Sequence, residues 1–115
     1  MKKAYHLAQC STCQRILDEV NWQGDTQNIR EKPITEQQLD EMAKLAGSYE
    51  VLFSRRAVKY KSMKLKDQSL NETDYKRLIL EEDTFLKRPV FIVDNSIFIG
   101  NSKQTVKQLK TKIGE

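Results

Sequence analysis

The stretch Ala4-Tyr5-His6-Leu7-Ala8-Gln9-Cys10-Ser11-Thr12-Cys13 decides how the rest of the chain is read. Residues 4–8 form a short apolar-leaning run that predicts a buried strand at the start of the chain. Gln9 to Thr12 is a turn, with Ser11 or Thr12 available to cap a following helix. From Cys13 onward Ile16, Leu17 and Val20 recur at helical spacing. Two thiols therefore fall where a strand gives way to a helix. The unpaired first amides and the positive end of the helix dipole stabilise a thiolate at such a place. Cys10, nearer the turn, is the candidate nucleophile. Cys13, one turn further on, is the candidate resolving thiol.

These are the only two cysteines in the chain. A structural disulfide across so few residues closes almost no loop and stabilises little. In a reducing compartment such a pair reads as catalytic, redox-sensing or metal-binding. Two plainer readings compete: a pair of ordinary buried thiols, and half of a zinc site. Structural zinc usually takes four ligands, and His6 is the only histidine available; no metal is therefore expected. His6 lies four positions before Cys10 on the predicted strand. Its spacing suits equally a ring that shifts the thiol's ionisation and a strand histidine that simply hydrogen-bonds.

Working outward, Gly24 reads as the stop of the first helix, and 27–30 as a second strand so polar that it would lie at a sheet edge or near one. Lys32-Pro33 breaks the pattern. Thr35 opens a helix with Gln38 as its capping-box partner; Leu39, Met42, Ala43 and Ala46 form the inner stripe and Gly47 the end. Residues 49–53 continue as a short helical or irregular piece. Asn71 or Thr73 opens a further helix with Tyr75, Leu78 and Ile79 inward. After Arg88-Pro89 come strands at 90–93 and 97–99, joined by the hairpin signal Asp94-Asn95. A last helix follows Ser102, with Val106, Leu109 and Ile113 inward. The order β-α-β, helical block, β-β-α predicts a thioredoxin-like α/β fold with a mixed sheet: one domain over 1–115, with a helical insertion at about 34–86.

The 115-residue length suits one core. Apolar residues at 38% and charged residues at 31% place the chain among globular proteins rather than disordered ones. No apolar run approaches the ~20 residues of a membrane span, and the opening residues lack an apolar leader; the expected location is the cytoplasm, with no membrane partner. The net charge of +4 and pI of about 9.1 permit anionic substrates or acidic partners. Between 55 and 66 lie Arg55, Arg56, Lys59, Lys61, Lys64 and Lys66 with no acidic residue. Such a run reads as an anion site, a patch for an acidic protein or, most simply, a solvated face. Neither aromatic interleaving nor a DNA-binding pattern accompanies it, so direct nucleic-acid contact is not expected.

Arg88-Pro89 enters a strand that would face the dithiol. The fold reading favours a cis peptide there, and Arg88 reads either as an oxyanion-binding arginine or as a solvated one.

These residues resemble the arsenate reductase and Spx-type family of thioredoxin-fold proteins over nearly the whole chain. Tyr5-His6 with Cys10 resembles the strand and nucleophile loop of the glutaredoxin-linked arsenate reductases. Leu52-Phe53-Ser54-Arg55-Arg56 with Tyr60 resembles their insertion motif, and Leu86-Lys87-Arg88-Pro89-Val90 their Arg-Pro strand entry. The resemblance implies Cys10 as catalytic cysteine, His6 near it, Arg56 and Arg88 as anion-contacting groups, and Pro89 as a cis proline. Two features depart from the reductase pattern. Gln14 stands where the loop arginine is expected, with Arg15 adjacent, and no arginine occurs near Gly100 or Asn101. Cys13 makes a dithiol where those reductases carry a single cysteine, and the Spx-type regulators do carry such a pair. Two functions follow as expectations. The first is a thiol-disulfide oxidoreductase like the arsenate reductases, acting on a small oxyanion or disulfide, with no bound cofactor and with glutathione or a thiol donor protein as co-substrate. The second is a redox-sensing regulator that binds RNA polymerase.

Overall fold

The computed structural model describes residues 2–114, and the chain divides into two compact units. One comprises the chain up to Pro33 together with Arg88 onward; the other is Ile34–Lys87. The fold is α/β and thioredoxin-like, with the helices of residues 34–87 inserted between its βαβ and ββα halves.

The first unit contains β1 (Lys2–His6), α1 (Ser11–Glu19), β2 (Asp25–Asn28), β3 (Val90–Val93), β4 (Ser96–Ile99) and α5 (Lys103–Ile113). The sheet order is β2-β1-β3-β4. β1 runs parallel to β2, with His6 opposite Asn28, and antiparallel to β3, with Tyr5 opposite Val90. β3 and β4 form the hairpin, turning through Asp94 at φ +55°. All four residues of Val90–Val93 are buried, as expected of an inner strand without polar positions. The polar β2 occupies an edge, where one row of its backbone groups needs no strand partner. Its one buried polar side chain, Gln27, is satisfied through Nε2–H donated to Lys32 O at 2.9 Å.

Both early strands lie two residues before their expected positions, and they shift together because β2 takes its register from β1. The cause is local. Leu7 O accepts the Cys10 N–H at 3.0 Å, so the turn begins at Leu7 and the strand ends at His6. The stop of α1 also differs. The left-handed residue is Asn21 (φ +51°), not Gly24. Gly24 is required for another reason: a Cβ there would stand 2.6 Å from Lys2 O and 2.8 Å from Trp22 Cζ2. Ala4, Ile16, Leu17, Val20, Phe91, Val93, Val106 and Leu109 form one apolar cluster, and Lys110 of α5 reaches Glu19 of α1 at 2.8 Å.

The second unit contains α2 (Glu36–Ala46), α3 (Val58–Ser62) and α4 (Glu72–Glu81), with single 3-10 turns at Glu50–Leu52, Leu65–Asp67 and Asp83–Phe85. Thr35 and Gln38 make the expected capping box, Gly47 ends α2 at φ +100°, and Asn71 with Asp74 makes a second capping box at α4. Phe53 is fully buried among Tyr60, Tyr75 and Phe85, with ring centroids 6.0, 4.9 and 5.0 Å away. Phe53 also pairs with Leu86 in an isolated bridge, flanked by Ser54 N–H to Phe85 O (2.7 Å) and Lys87 N–H to Leu52 O (2.8 Å). The start and end of the 53–86 segment are thereby held together. Lys76 joins α4 to α2 through Glu36 (2.8 Å) and Asp40 (3.0 Å).

Phe53→Ala is expected to cost about 3–5 kcal/mol, the range for emptying a buried aromatic site. Urea denaturation followed by tyrosine fluorescence measures it. A loss below ~1 kcal/mol would show that the site collapses around the missing ring or that the ring cluster does not hold this unit.

Candidate active site

The thiols owe their positions to the turn between β1 and α1. With the chain reversed after Leu7, Cys10 takes extended geometry (φ −93°, ψ 106°) and becomes the N-cap of α1. Its Sγ accepts the Cys13 N–H at 3.4 Å, and its carbonyl accepts the Gln14 N–H at 3.2 Å. Sequence propensity pointed to Ser11 or Thr12 as the cap; instead both lie inside the helix, and a sulfur does the work usually given to a hydroxyl or carboxylate oxygen. Anchoring of the turn at Leu7 places the cap one residue earlier than side-chain preference alone suggests.

The two thiols differ in environment. Cys10 is partly exposed, and Cys13 is fully enclosed beneath it. For Cys10, burial works against ionisation. Hydrogen bonds from the Cys13 thiol and Cys13 N–H, the charge of Arg88 and the Thr12 backbone outweigh it and hold the thiol below its ordinary value. For Cys13, burial dominates; with the thiol also bonded to Cys10, it is pushed up to about 11 despite the Leu7 backbone and Arg88. The outer sulfur is therefore the more readily ionised of the two, and the inner one holds its proton more tightly.

Arg88 comes from the other end of the chain, where the Arg88–Pro89 peptide bond is cis and Pro89 O accepts the Gly100 N–H at 2.9 Å. Half-buried, it places a positive charge that acts on both sulfurs. His6 is half-buried at the end of β1, its Nδ1 enclosed without a hydrogen-bond partner among the described residues. Burial lowers its pKa below 6.5, partly opposed by the Leu7 backbone, and so favours the uncharged ring. Gln14 and Arg15 turn along the helix surface: Gln14 Nε2 donates to Asp18 at 3.0 Å and Arg15 pairs with Glu19 at 3.2 Å.

In the second unit the two adjacent arginines separate in role. Arg55 donates to Glu50 (2.8 Å) and to the Tyr75 hydroxyl (3.1 Å), a structural commitment. Arg56 is exposed, and its guanidinium makes no hydrogen bond or ion pair among the described residues. The basic run is also less free of acids than its own composition implies, because Lys59 pairs with Glu82 at 2.7 Å. Among the described residues no three His, Cys, Asp or Glu side chains come together as metal ligands, and no helix is long and apolar enough to cross a membrane.

The pH behaviour follows from the two sulfurs. Alkylation of Cys10 by iodoacetamide is expected to rise with a midpoint below the ~8.5 of a free thiol, and Arg88→Ala should move that midpoint upward. A Cys10 midpoint at or above the free value, or one indifferent to Arg88, would contradict the site. Because the folded pKa of Cys13 is raised, its contribution to stability is full below the unfolded value and lost as pH climbs toward about 11. Cys10 acts oppositely: its contribution is full above the unfolded value and lost as pH falls through its lowered one. Urea midpoints of the reduced protein should therefore fall between about pH 9 and 11, and fall less in Cys13→Ala.

The fold has close counterparts. An arsenate reductase from Vibrio cholerae superposes with a TM-score of 0.77 at 16% identity, over 93% of this chain and 95% of that one. A Staphylococcus aureus protein superposes at 0.74 and 24% identity, over 94% and 97%. An arsenate reductase (ArsC) related protein from Brucella melitensis superposes at 0.69 and 16%, over 93% and 92%. No curated protein sequence matches significantly. The ArsC family model, by contrast, matches residues 5–109, a span running from the strand before the dithiol to the last helix. With the cysteine at the helix start, the Arg-Pro strand entry and the helical insertion all inside that span, the chain belongs to the ArsC family.

Proposed function

We propose that the protein is a thiol-disulfide oxidoreductase of the arsenate-reductase type, with Cys10 as nucleophile and Cys13 as resolving thiol. The observation that carries this reading is the pairing of a capped, partly exposed sulfur of lowered pKa with an enclosed one of raised pKa, one helical turn away. With a disulfide substrate, the Cys10 thiolate attacks one sulfur and expels the other as thiolate. Cys13, giving up its proton, then attacks Cys10, releases the reduced substrate and leaves a Cys10–Cys13 disulfide. With arsenate, Cys10 displaces an oxygen from arsenic as water. A second thiol, Cys13 or glutathione, then attacks the Cys10 sulfur, and arsenic departs as arsenite with the bonding pair. In either case two thiols become one disulfide, two electrons are delivered, and an external thiol donor restores the protein.

Arg88 fits the role of holding the anionic substrate and the thiolate together. Within the second unit Arg56 is the anion-binding candidate that the family resemblance implies, because its neighbour Arg55 is already occupied by Glu50 and Tyr75. His6, whose burial favours the uncharged ring, suits hydrogen bonding in this scheme rather than charge stabilisation. Reduced protein incubated with arsenate or a model disulfide, with glutathione and glutaredoxin, should turn over. Cys10→Ser should abolish this. Cys13→Ser should accumulate a Cys10 mixed disulfide visible by mass spectrometry. Absence of turnover with every substrate from a folded, reduced protein would refute the reading.

A second reading, a redox-switched regulator that binds RNA polymerase, is favoured by one specific observation. Gln14 and Arg15, at and beside the position of the reductase loop arginine, are spent on Asp18 and Glu19. Polymerase recovered from extract by the reduced or oxidised protein but not by both supports it; negligible recovery in both states rejects it.

A further inference from the structure

The nucleophile loop is short, and what holds it lies on another strand. Between the end of β1 and the start of α1 the chain reverses over Leu7, Ala8 and Gln9. Leu7 closes the turn, its carbonyl accepting the Cys10 N–H at 3.0 Å. Ala8, exposed, donates its N–H to Asn28 Oδ1 at 3.2 Å, a bond that crosses twenty residues of sequence.

Asn28 is well fixed for this task. Its backbone pairs with His6 in the parallel ladder, the next residue's N–H donates to His6 O at 2.9 Å, and Asn28 O accepts the N–H groups of Glu31 (3.2 Å) and Lys32 (2.9 Å). The same Oδ1 that takes Ala8 also takes the Arg30 N–H at 3.3 Å. One neutral oxygen thus ties together the loop that presents Cys10 and the loop that leaves β2.

We propose that Asn28 is a positioning residue for the nucleophile, holding the Ala8 N–H so that Cys10 enters α1 with its sulfur in the capping position. The inference rests on Cys10 being the reacting thiol. The side-chain chemistry is specific. Serine is too short to span the same gap from the same backbone. Aspartate reaches equally far but adds a negative charge close to the loop, and a like charge disfavours the thiolate. Asparagine is the residue of this length that supplies the acceptor without the charge. The bonds that build β2 are backbone bonds, so removing the side chain loosens the loop and leaves the sheet intact.

The test uses three forms of the full-length reduced protein: wild type, Asn28→Ala and Asn28→Asp. Amide exchange by NMR reads the loop, and iodoacetamide labelling of Cys10 against pH, resolved by peptide mass spectrometry, reads the thiol. In Asn28→Ala, Ala8 exchange should quicken by about tenfold, the scale of one lost neutral hydrogen bond. Cys10 labelling near neutral pH should slow, and its midpoint should rise. In Asn28→Asp, Ala8 protection should persist, while the Cys10 midpoint should rise at low salt and relax toward wild type near 1 M salt, where charges are screened within about 3 Å. A Cys10 midpoint unmoved in Asn28→Ala overturns the proposal. Should that variant not fold, Asn28→Asp decides it: unprotected Ala8 or a salt-independent midpoint overturns it. The two readings fail separately. An ordinary midpoint in wild type would sink the nucleophile assignment, whereas a lowered wild-type midpoint that Asn28→Ala leaves unchanged would sink only the role of Asn28.

Discussion

One hydrogen bond organises the site: the Cys13 N–H given to the Cys10 sulfur. A helix start carries unpaired amides that must find acceptors, and here the acceptor is the Cys10 sulfur itself. An anionic sulfur meets that need better than a neutral thiol, because charge-assisted hydrogen bonds are shorter and stronger. The helix therefore favours the ionised form of the group that caps it. The same helical turn that supplies the amide also buries the second sulfur, and enclosure keeps that one protonated. Thus the polarity of the pair arises from where one helix begins and which of its residues points inward.

The rest of the first unit serves that arrangement. The inner position of β3 brings Arg88, just before it, to bear on both sulfurs. The edge position of β2 puts its last residue beside the turn, in register with His6. An edge strand of Asp-Thr-Gln-Asn contributes little apolar burial. Its polar side chains instead satisfy loop backbone, as Gln27 does for Lys32 and Asn28 for Ala8.

Much of this was legible in the chain itself because it is local. The Thr35/Gln38 capping box, Gly47 and the Val90–Val93 strand each depend on residues a few positions apart and appear where expected, and Asn71 is the one of two candidate caps that opens α4. The dithiol's place between strand and helix was legible for the same reason. What escaped depends on long-range contact. That Cys10 rather than Ser11 caps α1 follows from Leu7 closing the turn; that Gly24 is needed follows from Lys2 passing within contact distance. Arg55 and Arg56 are indistinguishable as letters, and only the positions of Glu50 and Tyr75 show which one is committed. Asn28 carried no signal at all, since its partner lies twenty residues away and is a backbone amide.

The antiparallel bridge between Phe53 and Leu86 has a bearing on how this chain can vary. The two ends of the intervening stretch are clasped to each other, and the rings of Tyr60 and Tyr75 within it pack on the same Phe53. Loop-closure entropy grows only slowly with length, about 0.6 kcal/mol per doubling. Residues added in the exposed positions flanking the buried Leu65 therefore cost the clasp little in closure entropy, whereas Leu65 itself is held in the core.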